Sequence, residues 1–69
     1  MTFYEFIKSQ KNRPDPVGDL AADILADRAF PQSVSTLEKL RAYLAAAGAC
    51  PEALDAAKRA FWEYEEVKP

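Results

Sequence analysis

The stretch PDPVGDLAADILADRAFP, residues 14 to 31, sets an aspartate at every fourth position: Asp15, Asp19, Asp23 and Asp27. Four carboxylates could hold a hard cation such as calcium or magnesium through oxygen ligands. Their spacing speaks against it. On a helix, positions four apart climb about 6 Å, which sets the outer members of the ladder roughly 18 Å apart, beyond the reach of one ion. The stretch also lacks the loop of alternating oxygen ligands around a central glycine that calcium-binding helix pairs use. Asp15 and Asp19, near a helix N-terminus, gain from the helix dipole, whereas Asp27, near the other end, loses. Asp27 is therefore expected to serve a turn, its carboxylate accepting from the backbone amide of Ala29 or Phe30 as the chain bends toward Pro31. The ladder reads as cap, solvated face and turn, with no metal and no cofactor expected.

Nucleophilic chemistry has little to work with. The chain contains no histidine, so Cys50 and the serines lack their usual base, and no serine stands in a Gly-x-Ser-x-Gly elbow. A single cysteine forms no internal disulfide, and without imidazole a zinc site lacks its ordinary ligand set. Carboxylate pairs could still move protons, but a bundle of this size has little room for a substrate pocket. No enzyme is expected.

Two other residue groups could bind rather than transform. The basic ones are Lys8, Lys11 and Arg13 toward the N-terminus, and Lys58 with Arg59 further on. Either could touch phosphate, although both are small for duplex binding and could equally balance nearby acids. Among the aromatics, Phe3, Phe6, Phe30, Phe61 and Tyr64 fit apolar helix faces or a packed turn. Trp62 does not. It lies about 100° around the helix from Phe61, among Asp55, Lys58, Arg59 and Glu66, and is expected to be exposed or to lie over Arg59. An exposed tryptophan favours a protein interface.

The elements that must position these residues are helices. Thr2 and Glu5 have the capping-box spacing, with Phe3, Phe6 and Ile7 on one face after them. Pro14 and Pro16 then disfavour helical geometry at Arg13 and Asp15. A second helix follows with Asp15 as N-cap and Pro16 at its first position, or begins later at Asp19. Gly18 in its first turn is a misfit worth about 0.8 to 1 kcal/mol against alanine, which close backbone packing would explain. Ser35 and Glu38 have capping-box spacing for a third helix, with Leu37, Leu40, Leu44 and Ala47 inward and Gly48 at the left-handed stop. The fourth runs from Pro51 to Glu65 or Glu66, with Leu54, Ala57, Phe61 and Tyr64 inward. Cys50, at its N-cap position, caps poorly and is expected to be partly buried as a small apolar residue. The architecture is all-α: one compact bundle of four short helices, with a fifth allowed, over residues 1–69 as a single domain.

With 69 residues such a chain buries only about 60% of its unfolded surface, so the core must be small. Nine Lys plus Arg against eleven Asp plus Glu, a net charge of −2, spread both signs along the chain, and charge alone indicates neither a nucleic-acid protein nor an acidic chaperone. The first ten residues lack the apolar centre of a signal peptide, and nothing approaches the roughly 20 apolar residues of a membrane span. A soluble cytoplasmic protein is expected.

The segments TFYEFI, PVGDLAADILADRAFP, YL and GACPEALDAAKRAFWEY together resemble the YozE family of small bacterial proteins, which have a sterile-alpha-motif-like helical fold. The likeness runs over nearly the whole chain. It rests on Phe3 and Tyr4, on Gly18, Asp19, Leu20, Ala21 and Asp23, on Asp27, Phe30 and Pro31, and on Glu52, Ala53, Leu54, Lys58 and Tyr64. The resemblance implies a compact helical domain and makes Gly18, Asp19 and Asp27 parts of a fixed turn and capping scheme. It implies no reaction. Where the family usually carries tryptophan in the last helix, this chain has Phe61, with Trp62 one position later. Two functions are therefore in play. One is an interaction or adaptor module docking a protein partner, or itself, through a face bearing Trp62, Tyr43 and Arg59. The alternative is a nucleic-acid binder using Lys8, Lys11, Arg13, Lys58 and Arg59.

Overall fold

The computed structural model describes residues 1–68 as four helices, α1 (Phe3–Lys8), α2 (Pro16–Ala26), α3 (Leu37–Ala46) and α4 (Pro51–Val67). No strand occurs among the described residues. The long α4 is the spine, packing on each of the other three, while α1 also rests on α2.

Each helix starts where side-chain chemistry lets it. The Thr2 hydroxyl accepts from the Glu5 amide at 3.1 Å while the Glu5 carboxylate accepts from the Thr2 amide at 2.8 Å, completing the expected box. Asp15 caps α2 by accepting from the Gly18 amide at 3.0 Å, with Pro16 in the first turn. The helix thus begins at the earlier of the two possible starts. The third start differs from expectation: Thr36, not Ser35, is the N-cap, its hydroxyl accepting from the Lys39 amide at 3.2 Å. The two adjacent hydroxyl residues compete for one role, and the one whose backbone is extended immediately before Leu37 takes it. At the other end of α3, Gly48 has φ +85°. Its amide donates to the Ala45 carbonyl at 3.1 Å and the next amide, Ala49, to the Leu44 carbonyl at 2.9 Å, the paired bonds of a Schellman stop.

The core holds Phe3, Phe6 and Ile7 of α1, Val17, Leu20, Ala21 and Ile24 of α2, Leu40 and Leu44 of α3, and Ala56, Ala57, Ala60, Phe61 and Tyr64 of α4. The connection between α2 and α3 adds Phe30 and Val34 as plugs. Three alanines on α4 bring neighbouring helices close to its axis, which leaves volume for aromatics: the Phe3 ring stacks on Phe61 at 5.0 Å and meets the edge of Tyr64 at 5.7 Å. Ala47, expected inward, is exposed, because the helix ends there and the chain turns away. Cys50 is exposed rather than partly buried and makes no side-chain cap. Pro51 starts the last helix in its place, since proline at the first turn sacrifices no amide that the helix needs.

Candidate interaction surface

The aspartate ladder divides as its spacing demands. Asp15 caps, Asp19 and Asp23 stand in solvent, and Asp27 closes α2 with its carboxylate accepting from the Ala29 amide at 2.9 Å. Its other oxygen accepts from the Tyr43 hydroxyl at 2.5 Å. The hydrogen bond to that carboxylate raises the Tyr43 phenol above its ordinary pKa, because losing the proton would break the bond, and burial and the Asp27 charge add to it. Tyr43 is half-buried, its ring edge-on to Phe30 at 5.4 Å. It lines a hollow of about 240 Å³ between α2 and α3, with Cys50 at the rim.

Arg13 sits at the centre of a network that its position in the sequence does not reveal. Its guanidinium donates to the Asp15 carboxylate at 2.7 and 3.1 Å, to the Glu63 carboxylate at 2.6 and 3.4 Å, and to the Gln10 side-chain oxygen at 3.1 Å. The α1–α2 loop is thereby pinned to α4. Asp15 uses one oxygen to cap its helix and the other to hold Arg13. Arg59 approaches the same Glu63 at 3.1 Å. Hydrogen bonds from Arg13 hold the Glu63 and Asp15 carboxyls below their ordinary pKa values of 4.5 and 3.8, and raise the guanidinium's own. Carboxyls that are more acidic when folded contribute stability above their unfolded pKa and lose it as pH falls through the folded values. The contribution should be complete above the ordinary carboxylate range and lost as pH falls through the lowered values of Asp15 and Glu63. Arg13→Gln is therefore expected to flatten the acid limb of stability against pH. Urea midpoints at neutral pH and near pH 3 measure this; a variant with the same acid sensitivity as the parent would contradict it.

Of the basic candidates, one from each group meets at a single carboxylate, and the rest stand apart from it or in solvent. Arg13 and Arg59 share Glu63, Lys8 lies over the Tyr4 ring at 5.7 Å from its centroid, and Lys11 and Lys58 stand in solvent.

The last helix presents the exposed aromatic. With Ala56, Ala57, Ala60, Phe61 and Tyr64 turned inward, the helical period sends Asp55, Lys58, Arg59, Trp62, Glu65 and Glu66 outward as one stripe. Trp62 is 64% exposed. No cation lies over its ring among the described residues, so the stacking on Arg59 that the sequence allowed gives way to the Arg59–Glu63 pair. Beside the ring runs a groove of about 600 Å³, with Leu37, Phe61 and Trp62 as its apolar wall and Asp55, Lys58, Arg59 and Glu65 along its edges. Tyr43 lines the other hollow, so the structure separates it from Trp62 rather than joining them in one face. Among the described residues no three carboxylates or thiols converge as a metal site, and no helix is long and apolar enough to cross a membrane.

A family model described as YozE SAM-like fold matches residues 2–66. Among curated proteins and solved structures, none matches the chain.

Proposed function

The chain belongs to the YozE SAM-like family, and from that premise we propose that it is a non-enzymatic interaction module of the bacterial cytoplasm, an adaptor docking protein through the α4 face that carries Trp62. The observation that carries this reading is a large aromatic ring left 64% exposed on a regular helix beside an apolar groove. A tryptophan held that way has already lost most of its backbone freedom, so burying it against a partner costs little further ordering. Tryptophans in such positions recur among residues whose truncation costs an interface about 2 kcal/mol or more. The surrounding charges form the polar rim that a specific contact uses for register. The binding of Arg13 to both Asp15 and Glu63 favours protein over nucleic acid as the ligand, since that half-buried guanidinium must first give up two carboxylates to meet phosphate.

Trp62→Ala should leave stability within about 0.5 kcal/mol of the parent, because the ring touches little of the core, yet abolish docking. A photo-crosslinking residue in place of Asp55, used in living cells, should give discrete protein adducts that disappear in the Trp62→Ala background. Adducts unchanged by that substitution, or their absence alongside oligonucleotide binding that falls steeply with salt, would overturn the reading.

A further inference from the structure

We propose that the protein docked on this face is a second copy of the same chain, with α4 lying antiparallel to α4 about a twofold axis through Trp62. The inference rests on the interaction reading above and names its partner. The order of charges along the exposed stripe carries it. Lys58 and Arg59 stand four and three residues before Trp62, and Glu65 and Glu66 stand three and four after it. A twofold axis at Trp62 exchanges those offsets, because an isologous contact pairs each position with its mirror position on the other copy. Lys58 of each copy then faces Glu66 of the other, and Arg59 faces Glu65. A parallel arrangement would set like charge against like.

Trp62, at the axis, needs no charged counterpart. Its ring enters the groove of the other copy, where Leu37 and Phe61 form the apolar wall, and both rings are covered by one symmetric contact. The ion pairs already present along the stripe do not stand in the way. Arg59–Glu63 and Glu65–Lys68, at 3.1 and 3.5 Å, involve side chains up to 64% exposed and exchange partners readily. Lys58 and Glu66 have no ion-pair partner among the described residues. From Asp55 to Glu66 the stripe is roughly 17 Å long, which places the contact among small, transient interfaces rather than permanent ones.

Sedimentation equilibrium at protein concentrations up to about 1 mM, with the emission of Trp62, the chain's single tryptophan, as a local probe, tests the proposal. The parent should form dimers with a blue shift of emission. Lys58→Glu alone and Glu66→Lys alone should each raise the dissociation constant by about tenfold or more, since symmetry turns two attractive pairs repulsive. Mixing these two variants should restore association as a heterodimer, and the double variant Lys58→Glu/Glu66→Lys should regain the homodimer. Both positions are exposed and both substitutions suit a helix, so circular dichroism should show intact folding throughout. A parent that remains monomeric at the highest concentration overturns the proposal, and so does a mixture that fails to recover. Adducts in cells to a different protein, with a monomeric parent, would remove the second copy while leaving the docking face standing. Monomer and no adducts would remove both.

Discussion

Gly18→Ala is expected to destabilise the protein by about 3 kcal/mol, although alanine is the better helix former by about 1 kcal/mol. Two effects oppose each other at this position. Propensity favours the methyl group, but a Cβ built on Gly18 would stand 1.9 Å from the Arg13 carbonyl oxygen and 2.7 Å from its carbon. Those are backbone atoms, which cannot swing aside as a side-chain tip can. Making room moves the α1–α2 loop, and the loop carries the guanidinium that joins Asp15 to Glu63. Sterics should therefore win, with a fall in Tm of more than about 10 °C for a domain of this size. Chemical and thermal melts decide it; an alanine variant as stable as the parent would show that the loop yields freely.

Phe3→Ala should be more damaging still, leaving little folded protein at room temperature. The ring is fully buried, stacks on Phe61 at 5.0 Å, and meets Tyr64 at 5.7 Å and Phe6 at 6.5 Å. Deleting a buried phenylalanine costs about 3 to 5 kcal/mol through lost transfer energy and the cavity left behind. A domain of 69 residues has a total stability of roughly 3 to 10 kcal/mol, so one such cavity can consume most of it. Phe3→Leu, which keeps much of the volume, should retain a cooperative but weakened transition. Near-ultraviolet circular dichroism and urea titration separate the cases, and a cooperatively folded Phe3→Ala protein of parental midpoint would mean that the aromatic cluster contributes little.

Local chemistry in this chain can be read from neighbouring letters, whereas contacts closed by folding cannot. The Thr2–Glu5 box, the Asp15 cap before Pro16, the Gly48 stop and the outward direction of Trp62 depend on offsets of a few residues, and each was legible. So was the need for close packing at Gly18, although the atom responsible, the Arg13 carbonyl, was not. Thr36 displaced Ser35 because two hydroxyls side by side give the same pattern in adjacent registers, and only the backbone path into Leu37 chooses between them. The Arg13–Glu63 bond spans 50 positions and the Tyr43–Asp27 bond spans 16, and nothing in the spacing of those residues announces either. Arg13 and Tyr43 therefore read as surface candidates until the fold assigned them to internal bonds. Cys50 was misjudged for a related reason: its neighbours Ala49 and Pro51 are apolar, but the turn that joins α3 to α4 leaves its thiol outside.

The Tyr64 hydroxyl donates to the Met1 carbonyl at 2.8 Å, and the Phe3 ring rests on Phe61, so the first helix finds its packing partners some 60 residues downstream. A growing polypeptide cannot assemble this interior in instalments. Until the final helix has been synthesised, Tyr4 can stack on Phe30 but Phe3 and Phe6 lack Phe61 and Tyr64, and the free-energy cost of closing so long a loop is recovered only when both ends have arrived. Folding during synthesis is thus expected to await the completion of α4 rather than to follow the emergence of each helix in turn.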